Sequence, residues 1–258
     1  MRINHNLSAQ NTYRQYGNNT VKATKSMEKL SSGLRINRAA DDAAGLSISE
    51  KMRSQIRGLS QSVRNTQDGV SYIQTAEGAL NEVSDMLTRM KELAVQKANG
   101  TYSTDDIDNI NLELTGLETA LKGVLSDTKF NGTAVFTSSV DIAYGETAGL
   151  KVTVAAAGFK AADVPAATAS ATDIDAAITK VNTDRATYGA QQNQLEHVMN
   201  NLGTTGENLQ AAESRIRDVD MAGEMTEFTK NNILVQAAQS MLAQANQQPQ
   251  GVLQLLKG

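Results

Sequence analysis

Seven apolar residues stand in a single lane toward the C-terminal end of the chain: Ile174, Val181, Tyr188, Leu195, Leu202, Leu209 and Ile216, each seven residues from the next. Seven residues are almost two helical turns, so this lane draws one greasy line along one side of a long helix. The companion lane is mixed, reading Ala177, Asp184, Gln191, Val198, Thr205, Ala212 and Val219. A seam that narrow, flanked by polar neighbours, has to be buried against other long helices.

Two earlier stretches supply such partners. Val63, Val70, Ile73, Leu80, Val83, Leu87, Met90 and Ala94 step by three, four or seven and make one helical stripe. A helix over residues 63–96 is about 50 Å long. Asn99-Gly100 stops it, and Ser103-Thr104-Asp105-Asp106 starts the next with a capping pattern. Ile107, Ile110, Leu114, Leu117, Leu121 and Val124 then step 3, 4, 3, 4, 3, a coiled-coil seam. The first proline is Pro165, so nothing upstream interrupts long helices. Four Phe, six Tyr and no Trp leave little for a thick core. The expected fold is therefore mainly α: an antiparallel helical rod with helices over 63–96, 105–126 and 172–219.

Between the second and third helices the pattern changes. Val140, Ile142 and Tyr144 alternate, Gly145 to Gly149 supplies a turn, and Leu150, Val152 and Val154 alternate again, which predicts a β-hairpin. Residues 157–171, rich in Ala, Thr and Ser with Pro165, read as a surface excursion or linker. Residues 1–40 are polar, with scattered Ile3, Leu7, Val21, Met27, Leu30 and Leu34. Residues 220–256 carry a clear stripe at Phe228, Ile233, Leu234, Ala237, Ala238, Met241, Leu242 and Ala245. Isolated short helices are marginal in water. The two ends have either each other to pack on or copies of themselves on neighbouring molecules.

Chemistry is hard to place on this chain. It has no cysteine, hence no disulfide, thiol nucleophile or Cys-zinc site. Its two histidines, His5 and His197, have no partner constellation around them in sequence. Asp105, Asp106 and Asp108 start like a calcium loop but lack its glycine and closing Glu, so they read as helix N-terminal charge. Asp41-Asp42, following Arg35 and Arg38, reads as a turn held by local ion pairs. No enzyme activity, cofactor or metal is expected. A net charge of −4 has the wrong sign for a nucleic-acid clamp. No stretch reaches the roughly 18–20 apolar residues of a membrane span, and the N-terminus lacks the apolar run of a cleaved signal. On these grounds alone a cytosolic protein and one exported without a cleaved signal are both open.

Three word-like stretches then narrow the reading. Leu30-Ser31-Ser32-Gly33-Leu34-Arg35-Ile36-Asn37 is followed by Asp41-Asp42-Ala43-Ala44-Gly45-Leu46. Arg64-Asn65 and Asp68-Gly69 precede Gln74-Thr75-Ala76-Glu77-Gly78-Ala79-Leu80-Asn81-Glu82. Phe228-Thr229-Lys230-Asn231-Asn232-Ile233-Leu234 leads into Gln239-Ser240-Met241-Leu242-Ala243-Gln244-Ala245-Asn246. Together these resemble the two terminal regions of bacterial flagellins, over about 1–135 and 172–256.

The resemblance implies a structural subunit that polymerises into the flagellar filament for motility. It implies paired terminal helices (D0) from 1–40 and 217–258, a helical rod (D1) from 41–136 and 172–216, and a short hairpin or variable excursion at 137–171 in place of a bulky outer domain. It further implies ends that are disordered in the monomer and helical in the polymer. The expected location is extracellular, in the flagellum, reached through type III export without a cleaved signal peptide. Export chaperone and assembly factors are expected on Phe228, Ile233, Leu234, Met241 and Leu242, and filament cap and hook-junction proteins are further expected partners. Leu87-Thr88-Arg89-Met90-Lys91-Glu92-Leu93-Ala94-Val95-Gln96 is similar to the stretch through which some flagellins are bound by Toll-like receptor 5, which assigns Arg89, Leu93 and Glu113 to that receptor. Arg89 and Leu93, four apart, are expected on one helix face. A hook–filament junction protein and a secreted ligand or adhesin are the alternative readings.

Overall fold

The computed structural model describes residues 6–145 and 149–255, with side chains as far as residue 248. His5 lies outside the described residues. The described elements are α1 (Leu7–Ser32), α2 (Ala43–Lys97), α3 (Thr104–Asp127), β1 (Lys129–Phe130), β2 (Thr133–Ala134), β3 (Val140–Ala143), β4 (Lys151–Val154), α4 (Ala171–Arg217) and α5 (Met221–Leu255), with a short 3-10 turn at Ala161–Asp163. The mainly helical fold expected from the sequence is what the structure has. Two of the three long helices run within two residues of the expected bounds at each end. The third, α2, begins twenty residues earlier than its stripe suggested, at Ala43. The Asp42 carboxylate accepts the Gly45 N–H at 2.9 Å and so starts the helix upstream of the apolar stripe.

The chain divides into two compact units, residues 55–208 and residues 1–54 with 209–258. In the first, the three seams meet. Ile73, Ala76, Leu80, Val83, Leu87 and Met90 of α2 are fully buried, with Leu114, Leu121 and Leu125 of α3 and Ile174, Val181, Tyr188 and Leu195 of α4. α3 opens on a capping box between Ser103 and Asp106, which satisfies two backbone donors that the first turn leaves free. The β3–β4 hairpin pairs Val140 with Val154 and Ile142 with Val152, the alternation read from the sequence. A second hairpin, β1–β2, went unanticipated; Asn131 and Gly132 take φ of 48° and 82°, both left-handed, as a two-residue type I′ turn needs.

Residues 157–171 correct the expectation of a surface excursion. Phe159 is fully buried, and Ala157 and Val164 join the same core. Two carboxylates hold the segment. Asp184 accepts the N–H groups of Gly158 and Phe159 at 2.9 and 2.7 Å, and Glu118 accepts that of Ala167 at 2.8 Å. Tyr72 donates its hydroxyl to the Val135 carbonyl at 3.0 Å and meets Phe130 edge-on at 5.8 Å. Tyr72, Phe130, Phe136 and Phe159 thus pack together with the core beside the hairpins.

In the second unit α1 packs along α5. Asn6 serves both helices with one amide. Its Oδ1 accepts the Ala9 N–H at the start of α1, and its Nδ2 donates to the Ala245 carbonyl at 2.8 Å. Residue 249 is proline and brings no N–H to the carbonyl four residues back, which is that of Ala245. The Asn6 amide fills the place of the missing donor. At the other end, Gly33 closes α1 in the left-handed conformation, φ 72°. The chain stretches leaving α1 and entering α5 then pair. Arg35 N–H donates to Arg217 O at 2.7 Å and Val219 N–H to Gly33 O at 3.0 Å, while the Arg35 guanidinium reaches the Ile216 carbonyl at 2.6 Å.

Candidate interaction surfaces

Most helix pairs bury their large apolar side chains and expose their small ones; α1 and α5 do the reverse. The buried residues of the pair are Ala23 and Ser26 on α1 and Asn231, Ala238 and Ala245 on α5, while the larger Tyr16, Leu30, Phe228 and Leu242 are only half-buried. Asn231, Ala238 and Ala245 are seven apart, so they form one lane of small residues along α5. Small side chains let two helices approach closely. The larger residues are displaced outward: Leu7, Tyr13, Val21 and Met27 on α1, and Met221, Met225, Ile233, Leu234 and Met241 on α5 are all exposed. Of the five residues expected on this surface, Ile233, Leu234 and Met241 therefore face away from α1. One bridge across the pair, Lys29 to Glu224 at 3.8 Å, is long. Exposed apolar residues at this density on one helix pair mark an association surface.

The Arg89 group lies in the first unit. Arg89 on α2 bonds Glu113 on α3 at 3.0 Å and Glu92 one turn along at 3.1 Å. These bonds, that to Glu113 first, raise its pKa further above the ordinary arginine value. Arg89 and Glu113 are both about half exposed, so the structure joins these two expected residues on the surface. It separates the third. Leu93 is 2% exposed and packs in the core, whereas Arg89, four residues before it, is half exposed. Leu112, adjacent to Glu113 in sequence, and Val95 on α2 are exposed apolar residues of the same two helices.

Elsewhere the acidic residues singled out from the sequence do structural work. Asp41 accepts the backbone N–H groups of Asn37 and Arg38. Those bonds, that from Arg38 foremost, hold its pKa below the ordinary value, helped by Lys25 and Lys29. Asp106 is lowered likewise by the Ser103 hydroxyl and N–H. Among the described residues, no three His, Cys, Asp or Glu are placed to hold a metal ion, and no helix is long and apolar enough to cross a membrane. His197 lines an open groove with Tyr144, Asn193, Gln194 and Leu202, and no carboxylate among the described residues lines it.

Residues 3–141 match the bacterial flagellin N-terminal helical region, and residues 171–256 match the bacterial flagellin C-terminal helical region. The chain is 52% identical to a flagellin of Halalkalibacterium halodurans and 49% identical to a flagellin of Bacillus subtilis, in each case over all of both chains. It is 46% identical, again over both full lengths, to the flagellar filament 33 kDa core protein of Treponema phagedenis.

Proposed function

The chain belongs to the bacterial flagellins, structural subunits of the flagellar filament, and from that we propose that it builds a filament for motility by laying the outward apolar residues of α1 and α5 against neighbouring copies. The inverted packing of this helix pair carries the reading. Leu7, Val21, Met27, Met225, Ile233 and Met241 are exposed in the single chain, and burying such side chains contributes about 1.5–3 kcal/mol each. A subunit that meets successive neighbours through different patches forms an open helix rather than a closed ring. The segments 1–40 and 217–258 are the inner assembling part in this reading, and 41–136 with 172–216 the surrounding long-helix part. The chain leaves the cell unfolded through the flagellar type III apparatus. Its α5 stripe is held by an export chaperone until then, and cap and hook-junction proteins receive it at the filament end. Electron microscopy of the purified chain with filament seeds tests this: long tubes are expected, and a monomer that never elongates seeds overturns the reading in favour of a secreted ligand or adhesin.

Recognition by Toll-like receptor 5 is a second reading. The observation favouring it is the half-exposed Arg89–Glu113 pair bridging α2 and α3, a charged fork of the kind that partners read by bidentate bonds. Arg89→Ala is expected to weaken receptor binding at least tenfold, about 1.4 kcal/mol; unchanged affinity would sink the assignment.

A further inference from the structure

Sulfur is unevenly distributed over this molecule. Among the described residues, the exposed methionines are Met27, Met221, Met225 and Met241, between 49% and 58% accessible. All four sit on α1 and α5. Met90 is fully buried in the other unit, and Met52, Met86 and Met199 are half-buried. With no cysteine in the chain, no thiol competes for an oxidant, and among the described residues these four thioethers are the most accessible soft nucleophiles.

We propose that Met27, Met221, Met225 and Met241 are a reversible oxidation site on the free subunit, and that peroxide acting there switches self-association off. The reading rests on the filament assembly proposed above. Each thioether sulfur attacks one oxygen of hydrogen peroxide. An S–O bond forms, the O–O bond breaks, the sulfide is oxidised to the sulfoxide, and the peroxide is reduced to water. The product is a polar, chiral side chain in place of a flexible apolar one. Met225 lies beside Ile233 along the same stretch of α5, with Thr229 between them, so a sulfoxide there places an oxygen acceptor inside the patch a neighbouring copy has to desolvate. An unpaired polar atom buried in that way weakens the contact by roughly tenfold or more for each sulfur involved. Sulfoxide reductases reverse the change, since both sulfoxide epimers are their substrates.

The test treats the full-length monomer with dilute hydrogen peroxide, maps oxygen uptake by peptide mass spectrometry, and then measures elongation of untreated seeds. Oxygen is expected first on the four exposed methionines. Elongation is expected to fall at least tenfold and to return after incubation with the two sulfoxide reductases. A chain carrying Met27→Leu, Met221→Leu, Met225→Leu and Met241→Leu keeps the side-chain volume and is expected to elongate seeds equally with and without peroxide. Should that chain fail to elongate at all, reductase rescue of the parent chain decides. Oxidation of Met86 or Met90 ahead of the four overturns the proposal, as does undiminished elongation by the fully sulfoxidised parent. Parent protein that never elongates seeds, even unoxidised, overturns the filament reading itself and the assembly half of this proposal with it, while the oxygen map still decides the site.

Discussion

Asn6 holds the start of one helix and a proline-freed carbonyl of another, so its two amide atoms are separable by mutation. Asn6→Asp keeps the oxygen that caps α1 and removes the donor to Ala245. Leaving a buried carbonyl without its partner costs about 1–3 kcal/mol, and Ala245 is only 6% exposed. Amide hydrogen exchange in α1 and α5 is expected to speed up by roughly tenfold in Asn6→Asp. In a Pro249→Ala background residue 249 regains an N–H for that carbonyl, so the same substitution is expected to have a smaller effect, and the difference is the coupling between the two sites. A similar contrast separates Arg89 from Leu93. Arg89→Ala removes a surface ion pair and is expected to leave the melting temperature close to that of the parent. Leu93→Ala empties a core position and is expected to cost about 2–5 kcal/mol. Circular dichroism melts distinguish the two, and only Arg89→Ala can then report on receptor contact without a change in stability.

The elements were legible where a residue pattern is local and obscured where it depends on a distant partner. The 3-4 stepping of Ile107 through Val124 marked α3 nearly to the residue, and the 140–154 alternation marked the hairpin, whose register only the structure supplies. The start of α2 was missed because Asp42 caps it before the apolar stripe begins. The β1–β2 hairpin is too short for alternation to register; Asn131-Gly132 was its one signal. The docking of 157–171 had no local sign at all, because Asp184 and Glu118 reach it from α4 and α3. The surface pair was only half legible: Glu113 meets Arg89, but helix spacing alone could not tell that Leu93 turns into the core. Glu118 also gives that segment a pH dependence. Its hydrogen bonds to Lys122 and then to the Ala167 N–H hold its pKa below the ordinary glutamate value. A carboxylate lowered in the folded state adds stability that is complete above the unfolded pKa and is lost as pH falls through the folded one. Acid is therefore expected to loosen 157–171, seen as faster proteolysis there as pH drops below the ordinary glutamate value, and Glu118→Gln is expected to flatten that dependence.

At the scale of the molecule the two compact units differ in what holds them. Residues 55–208 bury a continuous set of Leu, Ile, Val and aromatic side chains, whereas the α1–α5 contact buries Ala, Ser and Asn. Local stability follows buried apolar area. Limited proteolysis of the monomer is expected to remove about 1–40 and 217–258 first and to leave a helical fragment, and early cleavage within 63–96 would contradict this ranking. The ends also meet across nearly the whole chain, for Asn6 and Ala245 are 239 positions apart. A ribosome releases residues in order at about 5–20 per second. α1 therefore emerges early and waits on the order of ten seconds or more for the helix it pairs with. α1 thus stays without its partner until the three long helices between them have been made, so this unit can close only after the other has been translated.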